Sequence, residues 1–274
     1  MALVLALRQA SCQAARMQTR VLKLDGVHNF RDYGGYTGAG GARVKPGLLW
    51  RSAQHGDASD QDLADMHALG IKTVVDLRGP SERQAKPCRR HPAFDAEVLF
   101  HPDETAGLAL HTEAADGVIT AAEARAAMVR LYQGIPFREN LLYMIRRYFD
   151  VLRRAEGPSL VHCVAGKDRT GFAVALAQYA LGVSQDDIIA DYVLTNQAGN
   201  IEARIAAGAT QIRARHGSIS DDTIRTLMGV EADYITTAFD HVAARYGSLD
   251  AYLAQVVGVD AAMRADLHSS YLED

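Results

Sequence analysis

The residue types best suited to chemistry stand in one run, His162-Cys163-Val164-Ala165-Gly166-Lys167-Asp168-Arg169-Thr170-Gly171. A short apolar stretch, Ser159-Leu160-Val161-His162, precedes it, and an apolar segment, Gly171 to Leu181, follows. Strand, tight loop and helix start together aim successive backbone N–H groups at one point, at the positive end of a helix dipole. Such a loop holds an oxyanion. With Cys163 first and Arg169 six residues later, the loop wraps a tetrahedral anion, places the thiol beneath its central atom and brings a planar guanidinium to two of its oxygens. Cys163 is then a candidate nucleophile and Arg169 a candidate for stabilising charge. Val164, Ala165, Gly166, Lys167 and Thr170 are the candidate binding residues. The Cys-x5-Arg spacing alone is a weak signal, and the flanking His162, Gly166, Thr170 and Gly171, with strand and helix on either side, make it a strong one.

The positioning elements follow from pattern. Leu22 to Tyr36, rich in turn glycines from Gly34 onward, reads as a short strand and hairpin, and Leu48 to Ser52 as a second strand. Ser59 and Asp62 mark a helix N-terminus, with Leu63, Met66 and Leu69 in helical spacing before Gly70. Ile71 to Leu77 is a β-branched run typical of a buried strand, stopped by Gly79-Pro80. Glu97 to Phe100 is expected as another strand, and Leu141 to Leu152 as an amphipathic helix. From Ser184 on, helices are expected over 186–200, 201–216, 220–228, 231–246, 249–257 and 261–272. The fold class is α/β: a mostly parallel sheet flanked by helices, a helical C-terminal portion, and lids at 103–135 and 200–230. Residues 1–20 read as a poorly constrained extension, with Met17 an alternative start to Met1, and 21–274 as a single catalytic domain.

In these residues the chain resembles the cysteine-dependent phosphatase superfamily, whose signature is H-C-x5-R-[ST]. It is most similar to the atypical bacterial tyrosine phosphatase B group, which shares features with phosphoinositide phosphatases. The resemblance also rests on Asn29-Phe30-Arg31-Asp32, Trp50-Arg51-Ser52, Asp76-Leu77-Arg78 with Glu82, and Asp191 to Asn196, with Tyr246-Gly247-Ser248 and Tyr252-Leu253 in the tail. It implies a phosphomonoester hydrolase acting on phosphotyrosine, with phosphoserine, phosphothreonine and phosphoinositides as further substrates. Cys163 would stand as a thiolate and form a phosphocysteine, since a helix N-terminus and nearby cations favour the ionised thiol. Thr170 would donate to the sulfur as it leaves.

The resemblance implies that Asp168 takes part in catalysis. The usual Trp-Pro-Asp acid loop is missing, because Trp50 is the only tryptophan and Arg51 follows it. Asp103 is the rival acid, and a simple ion pair of Asp168 with Arg169 is the alternative without chemistry. Asp76, at a strand end, is expected to hold Lys167 and Arg169. Lys167 is expected to reach substrate phosphates, His162 to orient the loop, and Arg31 to support the site. A dedicated lipid phosphatase, a sulfurtransferase and a phosphate-binding module without turnover are the competing functions.

Composition narrows the rest. Over 274 residues, 29 Lys and Arg against 33 Asp and Glu give a net charge of −4, which argues against a globally basic nucleic-acid binder. Cys12, Cys88 and Cys163 are too few for a disulfide framework, so a reducing, cytoplasmic compartment is expected, with export left open. Cys88 reads as a bystander, and His91, His101 and His111 show no metal-ligand motif. No apolar run reaches the length of a membrane span. No metal or other cofactor is expected, because Arg169 and the loop amides supply the positive potential a metal would provide. The expected partner is a phosphorylated protein or phosphoinositide, and the oligomeric state is left open.

Overall fold

The computed structural model describes residues 20–106, 120–202 and 220–274. The extension up to residue 19, Cys12, Met17, His111 and most of the helix expected over 201–216 lie outside the described residues.

Short strands build a five-stranded sheet. In chain order they are β1 (Arg31–Asp32), β3 (Leu49–Ser52), β4 (Thr73–Asp76), β5 (Glu97–Phe100) and β6 (Ser159–His162), with spatial order β1-β3-β6-β4-β5. β6 is central and parallel to both neighbours, while β1 runs antiparallel on the edge beside β3. A separate antiparallel pair joins β2 (Arg43–Val44) to β7 (Leu272–Glu273).

Register explains where chemistry can sit. Ser52 and Asp76 both pair with His162, so three parallel strands end level with one another. The loops leaving them, at Ala53, Leu77 and Cys163, therefore meet at the carboxyl edge of the sheet.

Both faces of the sheet are covered, and the period-2 alternation of strand side chains divides the core. Leu49, Val75 and Val161 point into the larger cluster, while Val74 and Leu160 point into a smaller one with Val27, Phe30, Ala58 and Leu63. The smaller face is closed by α1 (Asp60–Ala68), which begins in a reciprocal Ser59–Asp62 capping box. The larger face is filled by α4 (Glu139–Arg154) and α5 (Arg169–Ala180). α4 buries eight apolar side chains along one side, from Leu141 to Leu152, and ends at Ala155 in the left-handed region (φ 49°).

Two further helices frame the site. α2 (Pro80–Ala85), unforeseen from the sequence, starts with Pro80 in its first turn and Glu82 bonded back to the Gly79 amide. α3 (Ala121–Gly134) buries Ala124, Met128 and Tyr132 and stacks Tyr132 on Tyr234, 5.6 Å between ring centres. Tyr234 belongs to α9 (Ala232–Tyr246), which follows α8 (Asp221–Met228). The helix expected over 186–200 is two pieces, α6 (Gln185–Val193) and α7 (Thr195–Ala198). The one expected over 249–257 passes from a single α turn, Leu249–Tyr252, into a π turn, Leu253–Val257.

A buried charge triad ties the sheet to the helices. Asp191 of α6 binds Arg31 of β1 at 3.3 Å and Arg51 of β3 at 2.8 Å, and none of the three side chains is more than 1% exposed. Burial opposes ionising Asp191, yet the two guanidiniums hold its carboxyl below the usual range. Removing the carboxylate strands two buried cations. Asp191→Ala should therefore lower the unfolding free energy by about 3–5 kcal/mol in urea titration, and a loss under about 1 kcal/mol would contradict that role for the triad.

Candidate active site

Cys163 follows the last residue of β6 and is 3% exposed, and α5 begins at Arg169. Between them the amides of Val164 to Asp168 donate to no partner among the described residues. The loop thus presents a row of unspent donors at a helix N-terminus, above a buried thiol.

The loop's shape is enforced at Gly166. Its φ is +65°, and a Cβ there would lie 2.3 Å from the Ser52 carbonyl oxygen, so a side chain is excluded on both counts. The Gly166 carbonyl accepts from Asn29 Nδ2 at 2.8 Å and from Arg51 Nη2 at 3.0 Å. A trans peptide places the next N–H opposite that carbonyl, so anchoring the oxygen aims the Lys167 amide the other way. Asn29, itself held at φ +59°, is bonded in turn by Arg31. Arg31 thus touches the loop only through Asn29, while Arg51, named from the sequence only within the family-like Trp50-Arg51-Ser52 run, touches it directly.

Arg169 is fixed by a carboxylate fork. Its Nη1 and Nη2 donate to Glu82 Oε2 and Oε1 at 2.6 and 2.7 Å, and Nη1 also reaches the Leu77 carbonyl and Thr105 Oγ1, each at 3.1 Å. Burial works against the guanidinium's charge, but the Glu82 bonds and the negative potential of Cys163 hold it above its ordinary value. Burial likewise opposes ionised Glu82, and Arg169 keeps it below the usual carboxylate range.

The expectation for Asp76 is overturned. Asp76 does not hold Lys167 or Arg169; it grips Arg78, with Nη2 to Oδ2 at 2.7 Å, and lies 3.7 Å from His162 Nε2. Strand parity is the reason. Asp76 is two residues from Val74, so its side chain shares the smaller face, whereas Arg169 opens the helix on the larger one.

Asp168 is not paired with Arg169 either. Its Oδ1 accepts from Tyr132 Oη at 2.9 Å and from Lys167 Nζ at 3.1 Å. Lys167, 7% exposed, also donates to the Gly229 carbonyl just after α8. Its ammonium is therefore engaged rather than free. Asp103, the rival acid, is 76% exposed beside His101 and bonds to no loop residue among those described. Thr170 Oγ1 is buried with no hydrogen-bond partner among the described residues, a donor available to a charged sulfur. Trp50 is structural, packed on Phe30 and donating to the Gly47 carbonyl.

Sequence reasoning also missed Arg138. It stands at the N-terminus of α4, where burial and the charge of Arg169 lower its pKa and Asp168 partly restores it. No carboxylate pairs with it among the described residues. Nothing in its local sequence marks it. Of the two stretches expected as lids, the described parts bring Tyr132 from α3 and the Gly229 carbonyl to the Asp168–Lys167 pair.

Behind the loop, His162 donates from Nδ1 to the Cys163 carbonyl at 3.3 Å and packs on His55, 4.7 Å between ring centres. Both rings are fully buried, and burial lowers the pKa of each: neighbouring positive charge adds to this at His55, where the lowering is strongest, while at His162 the Asp76 carboxylate opposes it in part. The folded state thus keeps them neutral where the unfolded chain, with an ordinary value of 6.5, begins to take up protons. Stability from these groups is complete above pH 6.5 and is lost as pH falls below it. The melting temperature should be flat above about pH 7 and fall toward about pH 5, with a shallower fall in His55→Asn. A melting temperature that rises on acidification would contradict neutral burial.

Residues 22–273 match the tyrosine phosphatase family. A Cupriavidus necator protein that bears a tyrosine-protein phosphatase name is 35% identical over 269 residues, covering 96% of this chain and 93% of its own. The triple specificity protein phosphatase PtpB of Mycobacterium tuberculosis is 32% identical over 266 residues, covering 85% of this chain and 92% of its own. The crystal structure of TpbA from P. aeruginosa aligns with a TM-score of 0.29 and 20% identity over 66% of this chain and 86% of that one. By its match along nearly the whole length and by these two sequence relatives, the chain belongs to the tyrosine phosphatase family and is a phosphatase.

Proposed function

We propose that the enzyme hydrolyses phosphotyrosine through a phosphocysteine on Cys163, with phosphoserine, phosphothreonine and phosphoinositides as further substrates. The observation that carries this reading is the loop itself. A buried thiol lies under unpaired amides, and a guanidinium is locked by Glu82 with its charge directed to the same loop. The breadth of substrate is supported by the M. tuberculosis relative, whose name declares triple specificity.

In the first step the Cys163 thiolate attacks phosphorus and forms an S–P bond as the ester P–O bond breaks. The leaving oxygen takes a proton from Asp168, which Tyr132 and Lys167 hold beside the loop. In the second step water attacks phosphorus and gives a proton back to Asp168. The S–P bond then breaks, releasing inorganic phosphate, and the Thr170 hydroxyl steadies the departing sulfur. Arg169 and the loop amides carry the equatorial charge through both transfers. Arg138, a cation without a paired carboxylate among the described residues, favours substrates with a second anionic group beside the scissile phosphate.

The test compares wild type with two variants on aryl phosphates of different leaving ability, with orthovanadate as inhibitor. Cys163→Ser should lower kcat by at least about 10³-fold. Asp168→Asn should lower it by about 10²-fold or more for poor leaving groups and abolish the alkaline fall in kcat. Turnover surviving in Cys163→Ser would overturn the mechanism, and an unchanged alkaline limb in Asp168→Asn would return the acid role to Asp103. A kcat/KM for phosphoinositides far above that for phosphotyrosine peptides would make the lipid the principal substrate.

A further inference from the structure

On the smaller face of the sheet, directly behind the loop, one donor atom each from His55, Cys88 and His162 lies within 4.8 Å of the other two. The hydrogen bonds around them assign which atoms are available. The Cys163 carbonyl can only accept, so His162 Nδ1 carries the proton and Nε2 is a bare lone pair. That Nε2 is fully buried without a hydrogen bond among the described residues and faces Asp76 Oδ2 at 3.7 Å, acceptor toward acceptor. Such an arrangement is costly unless a cation joins the two.

His55 and Cys88 are prepared in the same way. Arg90 Nη1 can only donate, so His55 Nδ1 is an acceptor, and its Nε2–H is committed to Ser52 Oγ, which donates on to the Ala53 carbonyl. Cys88 Sγ accepts from Arg78 Nη2 at 3.0 Å and from the His55 amide at 3.4 Å. Two N–H donors on one sulfur are the surroundings of a metal-bound thiolate.

We propose that His55 Nδ1, Cys88 Sγ, His162 Nε2 and Asp76 Oδ2 form a Zn²⁺ site, separate from the catalytic loop. Two nitrogens, one sulfur and one oxygen are an ordinary zinc set, with bonds of about 2.0–2.3 Å. Ligand atoms in such a tetrahedron lie about 3.3–3.8 Å apart, so the His55, Cys88 and His162 atoms need to draw in by about 1 Å, while Asp76 Oδ2, 3.7 Å from His162 Nε2 but outside that three-atom cluster, has to move further. Charge also closes: the thiolate and the Asp76 carboxylate neutralise the ion, and the Cys88 proton leaves to solvent. Arg78 stays as a donor to both anionic ligands. Arg90 must withdraw from His55, which it can do because its guanidinium also rests on the Phe94 ring at 4.9 Å. A cavity of about 230 Å³, lined by His55, Arg90, Leu160 and Phe94 among others, reaches the proposed site at His55.

The test is titration of Zn²⁺ into Cys12→Ser/Cys163→Ser protein, in which Cys88 is the one remaining thiol, followed by calorimetry and melting temperature. One equivalent should bind and raise the melting temperature, and Co²⁺ should give a thiolate charge-transfer band. Adding Cys88→Ala should weaken Zn²⁺ by at least about 100-fold, more than the loss of an outer-shell partner does. Arg90→Ala should instead tighten it, an outcome that a purely structural part for Arg90 does not produce. Absence of binding, unchanged affinity in Cys88→Ala, or weaker affinity in Arg90→Ala would each overturn the proposal.

Discussion

The Gly166 carbonyl accepts two buried donors, Asn29 Nδ2 and Arg51 Nη2, and the organisation of the site depends on that pair of bonds. Both donors lead back to one carboxylate, since Arg51 binds Asp191 directly and Arg31, which bonds Asn29, binds it as well. A loop with five unspent amides has every reason to collapse onto its own carbonyls. The Asn29 amide, just ahead of β1, and the Arg51 guanidinium of β3, braced by α6, prevent that by holding the carbonyl away from the amides. The motif near residue 30 and the one near residue 190 therefore serve a loop more than a hundred residues from the first of them.

The second constraint is electrostatic. A chain of net charge −4 gathers positive potential in one place by burying it: Arg169 is 9% exposed and Lys167 is 7% exposed, each beside a carboxylate. Glu82 aligns the Arg169 fork, and Asp168 holds the Lys167 ammonium. Neither pair cancels the field of the unpaired amides and the α5 terminus, so an arriving phosphate meets preorganised donors with little reorganisation.

Much of this was legible in the sequence, and the failures have identifiable causes. β6, β5 and the loop between β6 and α5 were legible because short apolar strands and a glycine-bearing loop carry their own local signals. A strand-end position suggests that Asp76 faces the loop, but side-chain parity decides otherwise: counting by two from Val74 puts it on the His162 side. Glu82 entered only through family likeness, since the six-residue α2 that presents it is too short for a periodic pattern. Arg51, Asn29 and Arg138 act through contacts distant in the chain, as does the pairing of β2 with β7. The cluster of His55, Cys88 and His162 is likewise invisible as a spacing, because strand ends and a crossover bring it together.

The mechanism requires that phosphorus is bonded to the Cys163 sulfur during turnover. Enzyme mixed with an aryl phosphate, quenched in acid within one turnover and mapped by peptide mass spectrometry, should carry a single phosphoryl group on Cys163. Asp168→Asn should still form it when the leaving group needs no proton. A burst of released phenol with no phosphorylated Cys163, or a phosphoryl group on any other side chain, would contradict the assignment of this loop.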